Sequence, residues 1–322
     1  MNMHGAFLGR ATKDNSTWFI GGLHSYVALP QQTGGAFTLI DAVYRKDCGP
    51  PAHMHTREDE LFCVLEGRVR FSAGTAQADC GPGAVAFLPR NLAHVFEPLT
   101  AEVRMAILLI PGGLEQYFKT FSEHAQDMGL PPLPVSMPDI PTFLAKGAEY
   151  GLEFLPPGST VAQHPSASVP DLHATIASPG EGECLNVIGI PTWVRTTAAD
   201  SNAAVSAFIT DDPHFAGPPL HIHRNEDESM FVLEGAYRIQ AGDTSYDARP
   251  GDFAFFPRGL AHTYARVSEA PGRMLILTTP GGYEAFFRDV DGLCAKGQPS
   301  IPELTQVAAN HGVEIVGPPI QP

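Results

Sequence analysis

The chain is written twice, and this duplication limits what it can fold into more than any other feature. Residues 49–67 read GPPAHMHTREDELFCVLEG and residues 217–235 read GPPLHIHRNEDESMFVLEG, with 12 of 19 positions identical. Residues 82–94 (PGAVAFLPRNLAH) and 250–262 (PGDFAFFPRGLAH) share 9 of 13. Pro111-Gly112-Gly113 returns as Pro280-Gly281-Gly282, and Tyr150-Gly151-Leu152-Glu153-Phe154 as His311-Gly312-Val313-Glu314-Ile315. An offset of 168 residues is too long for a solenoid repeat and has the length of a domain. Two tandem domains are expected, residues 1–158 and 159–322, meeting after Pro156-Pro157-Gly158.

Each copy reads as short strands between tight turns. The 322 residues include 32 glycines and 30 prolines, which interrupt helices, while 43% apolar residues can bury a core. Strands are predicted near 36–45, 61–65, 68–73, 84–88, 94–97 and 103–110. Their counterparts fall near 204–210, 229–233, 236–241, 252–256, 262–267 and 273–279. Helices are expected only late in each copy, over Leu114–Glu123 and Pro141–Tyr150, then Tyr283–Asp289 and Pro302–His311. Proline suits the first helical turn, and Gly151 and Gly312 sit where a C-terminal cap belongs. The class is all-β, with a sandwich or small barrel in each copy.

Charge removes several partners. With 20 Lys and Arg against 35 Asp and Glu, the formal net charge of −15 repels phosphate backbones and anionic membranes, so neither nucleic acid nor membrane is expected as a partner. No apolar run has membrane-spanning length, and Met1 to Asn15 lack the pattern of a secretory signal. Five cysteines, an odd number without CxxC spacing, read as reduced thiols of a cytoplasmic protein.

The histidines carry the chemistry. His53 and His55 are two apart, so on a strand they share a face, with Met54 on the other. Glu60 follows five residues later and His94 closes the set; His221, His223, Glu228 and His262 repeat it. Three imidazoles and a carboxylate suit a divalent first-row metal such as Fe, Mn, Co, Ni, Cu or Zn, one per domain. In an octahedral metal two neighbouring positions stay open, as a catalytic site requires. A single buried histidine is usually a packed core residue, but two complete sets favour metal binding.

These residues carry a family resemblance. HxH-x4-E-x6-G (His53 to Gly67, His221 to Gly235) resembles the first cupin motif, and G-x5-P-x-N-x2-H (Gly83 to His94) resembles the second, as does Gly251 to His262. Asn91 stands where that motif has glycine, as Gly259 does in the second copy; Asn is the side chain that best tolerates a left-handed backbone. Pro98 and Arg266 replace the motif's closing Asn, which is not a ligand. The resemblance implies two tandem jelly-roll (double-stranded β-helix) barrels with short C-terminal helices. In both copies a strand ends in Pro-Gly-Gly, then comes a Glu and an aromatic pair (Glu115, Tyr117-Phe118; Glu284, Phe286-Phe287). This layout is similar to quercetin 2,3-dioxygenase-like (pirin-like) bicupins.

By that resemblance the reaction would be O2-dependent cleavage of a flavonol or other enolisable aromatic, with Glu60 or Glu228 as catalytic base for the hydroxyl proton. A metal-dependent isomerase, decarboxylase or lyase acting on an enolate without O2 would need the same ligands, and a non-catalytic metal-binding bicupin is a third reading. Strand alternation turns Phe62 and Val64 inward with Glu60, Met230 and Val232 with Glu228, and Phe96 and Tyr264 with the third histidines. Such residues are often core filler; as pocket lining they favour a small, flat, apolar or aromatic substrate. Glu58-Asp59 and Glu226-Asp227 read as solvated strand entrances, and Arg90 and Arg258 as surface turn residues. The more apolar strand gives the N-terminal centre the edge as the catalytic one, and pairing of two chains into a homodimer would cover exposed strand edges.

Overall fold

The computed structural model describes residues 5–163, 173–213 and 217–321. The chain divides into two compact units. One runs from Ala11 to Pro179; the other is Gly180–Pro322 together with the N-terminal stretch up to Arg10. Each is a pair of antiparallel sheets with short helices, the all-β double-sheet architecture expected from the repeats.

In the first unit an eight-stranded sheet contains Thr38–Arg45, Glu102–Ile110, Asp59–Glu66 and Val85–Leu88 as neighbours. A five-stranded sheet orders Leu152–Phe154, His53–His55, His94–Pro98, Val69–Ala73 and Ala76–Cys80. Side chains alternate across the pleat, so Ile40, Ala42, Phe62, Val64, Phe71, Phe96, Met105 and Ile107 form one core between the sheets. The second unit repeats this with seven and five strands and a core that includes Phe208, Met230, Val232, Ile239, Tyr264 and Ile276.

Predicted strands and observed ones agree within about two residues at nearly every end. The repeat did not expose Ser16–Phe19 and Gly22–Ala28, which extend the first large sheet, or Ile190–Thr196, which extends the second. The helices are Glu115–Thr120 and Ile140–Glu149, then Glu284–Cys294 and Ile301–Asn310. Asp139 and Ser300 cap the two proline-started helices by accepting from backbone N–H groups, and Gly151 (φ 80°) and Gly312 (φ 76°) end them.

The contact boundary lies at 179/180, beyond the residue 158 read from the repeat. Leu155 and Val161 still pack with Ala93 of the first unit. Thr175–Ala177 then pairs with the outer edge of the Val85–Leu88 strand, while Phe7–Gly9 pairs with the equivalent Phe253–Phe256 strand of the other unit. Each unit thus covers this edge with a segment flanking its repeat, which removes an unpaired row of backbone groups. Among the described residues no helix is long and apolar enough to cross a membrane.

Two buried carboxylates anchor the Pro-Gly-Gly turns. Glu115 accepts from the Thr38 hydroxyl (2.7 Å) and the Gly113 amide (2.8 Å). Glu284 accepts from the Ser206 hydroxyl (2.6 Å) and the Ala198 amide (2.9 Å). The glutamate that follows each Pro-Gly-Gly therefore fastens the helix to the large sheet.

Candidate metal centres

The eight expected ligand residues fall into two buried groups of four, one in each unit. The ligating atoms of His53, His55, Glu60 and His94 lie within 4.8 Å of one another, as do those of His221, His223, Glu228 and His262. The fold explains the convergence. His53 pairs with His94, and His221 with His262, in antiparallel register, which sets imidazoles side by side. Glu60 and Glu228 come from the facing sheet.

Second partners aim the imidazoles. Nδ1 of His53 donates to the Pro51 carbonyl and Nδ1 of His94 to the Leu92 carbonyl, both at 2.8 Å. His221 and His262 do the same to Pro219 (2.8 Å) and Leu260 (3.1 Å). A ring that donates through Nδ1 presents an Nε2 lone pair inward. His94 Nε2 then stands 3.0 Å from Glu60 Oε2, and His262 Nε2 stands 2.7 Å from Glu228 Oε2. Lone pairs facing a carboxylate in a buried site call for a cation between them. Both nitrogens of buried His55 also have no hydrogen-bond partner. The donor set and these orphan atoms fit a divalent transition metal in each unit.

Electrostatics favour neutral ligands in the first centre. Burial, then the neighbouring His94 and His55, holds His53 well below its ordinary value, and burial and His94 do so for His55. In the second centre burial also opposes charging of His223, but Glu228 and Glu226 raise it to about 9. Burial lowers His262, and it opposes ionisation of Glu228, which the surrounding histidines nevertheless hold well below the carboxylate range.

The residues beside the ligands correct one expectation. Glu58, Asp59 and Glu226 are buried rather than solvated. Glu226 accepts from Nδ1 of His223 at 2.7 Å, whereas Glu58 stops 3.9 Å from Nδ1 of His55 and burial pushes its carboxyl up to about 7. Asp59 accepts from Arg90 at the backbone N (2.7 Å), Nε (3.0 Å) and Nη2 (2.8 Å). Asp227 holds Arg258 in the same way. These arginines are not free turn residues: each ties the turn before the third histidine to the strand bearing the glutamate. Asn91 takes the left-handed backbone (φ 64°) that Gly259 takes in the other unit (φ 86°), and each amide donates at 2.7 Å to the carbonyl of the second histidine.

The surroundings of the two centres differ. A cavity of about 460 Å³ opens on the first, with His53, His55 and Glu60 in its wall. Phe62 and Phe96 line it as expected. Val64 does not; two residues farther along the strand it is core. His24, Tyr44, Phe118, Met137 and Phe143 also line it and were not visible from the motifs. In the second unit Met230, Val232 and Tyr264 are core residues. There Phe256 stacks on His262 at 4.5 Å and Tyr283 lies 4.8 Å from His223. The matching positions of the first unit hold the smaller Leu88 and Leu114.

The family described as "Cupin domain" matches residues 43–111 and 207–278, stretches that contain all eight ligand residues. The chain carries two cupin domains. Quercetin 2,3-dioxygenase of Bacillus subtilis (strain 168) is 21% identical over 268 residues, covering 81% of this chain and 79% of that protein. Among solved structures, the oxalate decarboxylase–formate complex of Lactobacillus farciminis aligns with a TM-score of 0.59 at 14% identity, covering 88% of both chains. Procruciferin, an 11S globulin of Brassica napus, aligns with a TM-score of 0.58 at 11% identity over 87% of this chain and 85% of that one. A decarboxylase and a globulin thus share this bicupin fold equally well, so the fold does not choose an activity. No disulfide links the five cysteines, and Cys63 and Cys80 are buried.

Proposed function

We propose that the protein is a metal-dependent dioxygenase that cleaves a flavonol-like or other enolisable aromatic substrate with O2, and that the N-terminal centre does the chemistry. The observation that carries this reading is the cavity. It holds three of the four first-centre ligand residues, its remaining wall is largely aromatic and aliphatic, and it contains no Lys or Arg. A small dianion such as oxalate would need cationic partners in so apolar a space. A flat aromatic would instead exchange water for Phe62, Phe96 and Phe118. The similarity to a quercetin 2,3-dioxygenase points the same way.

A divalent metal held by His53, His55, Glu60 and His94 would supply Lewis acidity toward an enolate oxygen and an open position for O2. The chain's own work is binding and proton handling. The aromatic wall orients the ring and excludes water, so charge developing on the substrate is screened little. Glu60 takes the substrate's hydroxyl proton on its carboxylate, beside the Nε2 atoms of His94 (3.0 Å) and His55 (3.5 Å). Glu228 could serve the same role in the second domain, where the aromatic rings against the ligands leave it to smaller molecules or to a structural metal.

The test is oxygen uptake by metal-loaded protein supplied with flavonols, run beside an anaerobic assay. Substrate loss matched by equimolar O2 uptake is expected, and none under argon. Conversion without uptake would replace the reading with an isomerase, decarboxylase or lyase, and no conversion with any metal would leave a binding protein.

A further inference from the structure

Within the cavity wall one polar pair belongs to neither cupin motif. His24, on the Gly22–Ala28 strand, and Tyr44, on Thr38–Arg45, both line the cavity, and His24 Nε2 lies 2.7 Å from the Tyr44 hydroxyl. His24 is 1% exposed, and its Nδ1 has no hydrogen-bond partner. The ring is held by aromatic contacts, with Phe19, Phe118 and Tyr44 centroids 5.2, 5.4 and 5.4 Å away. Its burial keeps it neutral, with a value lowered to about 3. A neutral imidazole whose far nitrogen is fixed has one remaining hydrogen-bonding atom, and an unpaired one in an apolar site is costly unless a ligand completes it.

The pair is specific to this centre. His24 faces Ala42 across the strands, and the position facing Thr210 in the repeat is Thr192. The repeat's counterpart of Tyr44 is Asp212. The ligands are duplicated, but this pair is not.

We propose that His24, positioned by Tyr44, is the group that recognises a ring hydroxyl of a hydroxylated aromatic substrate in the N-terminal cavity. This rests on the dioxygenase reading for the choice of substrate class, though not for the existence of the subsite. When Tyr44 donates to Nε2, Nδ1–H donates to a phenolic oxygen of the ligand. In the other tautomer Nδ1 accepts from a ligand hydroxyl. Either way the contact uses no atom of the metal-ligand residues, so His24 orients the substrate while Glu60 handles its proton. His24 is a positioning residue and holds no metal.

The experiment is anaerobic titration of the metal-loaded full chain with quercetin and with flavone, which lacks the hydroxyls, following ligand absorbance. Wild-type protein is expected to prefer quercetin. His24→Phe, which keeps the aromatic packing, should weaken quercetin binding about tenfold, the worth of one hydrogen bond at the upper end, and leave flavone binding unchanged. His24→Asn should recover part of the loss, and Tyr44→Phe should show a smaller loss of the same selectivity. Metal content should stay at the wild-type level in all three. A His24→Phe protein that folds, keeps its metal and retains the full quercetin preference overturns the proposal, as does a wild type that binds neither ligand. Selective binding that depends on His24 without O2 uptake would remove the reaction and keep the subsite; uptake with binding indifferent to His24 would do the reverse. Should His24→Phe not fold, the same criteria apply to Tyr44→Phe.

Discussion

Replacing Asp59 by Asn tests whether the arginine clamp before the third histidine is built into the site or merely decorates a turn. The carboxylate accepts three hydrogen bonds from Arg90, one through the backbone and two through the guanidinium. Asn keeps the volume but loses the charge and turns an NH2 group toward a cation. Hydrogen bonds to charged groups are worth about 1.5–3 kcal/mol. The Asp59 side chain is 5% exposed, but that of Arg90 is 35% exposed and regains water when released. The low end therefore applies, a cost of about 2 kcal/mol. The second domain is an internal control: Asp227 and Arg258 make the same three contacts at 2.8, 3.0 and 3.0 Å, with side chains 14% and 47% exposed. Greater solvation should bring the cost of Asp227→Asn down to about 1 kcal/mol. For units of this size 1 kcal/mol moves the melting temperature about 2–4 °C, so the losses should be roughly 4–8 °C and 2–4 °C. Because the Arg90 turn delivers His94, Asp59→Asn should also release metal from the first centre faster under chelator. Calorimetry of the full chain with timed metal analysis reads both effects. The reasoning fails if Asp59→Asn melts within 1 °C of wild type, or if Asp227→Asn is the more damaging change.

Other consequences follow from the same geometry. His53→Ala and His221→Ala should each reduce bound metal from two equivalents to one by elemental analysis, with only His53→Ala abolishing turnover of a flavonol. His223 has a folded-state value of about 9 against an ordinary 6.5, because Glu228 and Glu226 outweigh the opposing effect of burial. A raised value means its protonated form stabilises the metal-free fold fully below pH 6.5, and that contribution is lost as pH rises through 9. Melting of chelator-treated protein should decline across that window, and Glu226→Gln should shallow the decline. Asn91→Ala should cost about 1 kcal/mol, since an ordinary side chain is strained at φ 64°, while Asn91→Gly should be neutral or better by chemical denaturation.

Much of the site was legible because metal ligation constrains residue type and spacing together. HxH on a strand gives two imidazoles on one face, and the second copy excluded coincidence. Asn91 was readable for a similar reason: a left-handed turn admits few side chains. What stayed hidden comes from outside the duplicated blocks. His24 sits on a strand that precedes the first matched segment, and Met137 and Phe143 lie in and after the proline-rich connection between the two helices of the first domain. The two copies differ in these regions, so comparing them said nothing. Glu58, Asp59 and Glu226 were misread because local polarity predicts exposure, whereas Asp59 is buried against Arg90, distant in sequence, and Glu226 against His223 in a tight turn. Only the folded chain brings Arg90 to Asp59 or turns the ring of His223 toward Glu226.

The two centres also separate what a metal site is from what it does. Their four ligand residues are the same, and carbonyls two residues before the first and third histidines orient those rings in both. Duplication preserved the part that selects a metal. It did not preserve the walls. In the first domain Leu88, Leu114 and Phe96 stand where the second has Phe256, Tyr283 and Tyr264. Two of those exchanges replace an aliphatic side chain with an aromatic ring lying against a ligand histidine. The third adds a hydroxyl, which burial keeps protonated. Aromatic rings pack against the second domain's ligands, while the first domain's cavity carries a polar pair in its wall. On the proposed reading, a large aromatic substrate calls for the first domain's cavity and not for a different metal. The proposed division of labour between the domains would therefore rest on side chains that the ligand motifs leave unspecified.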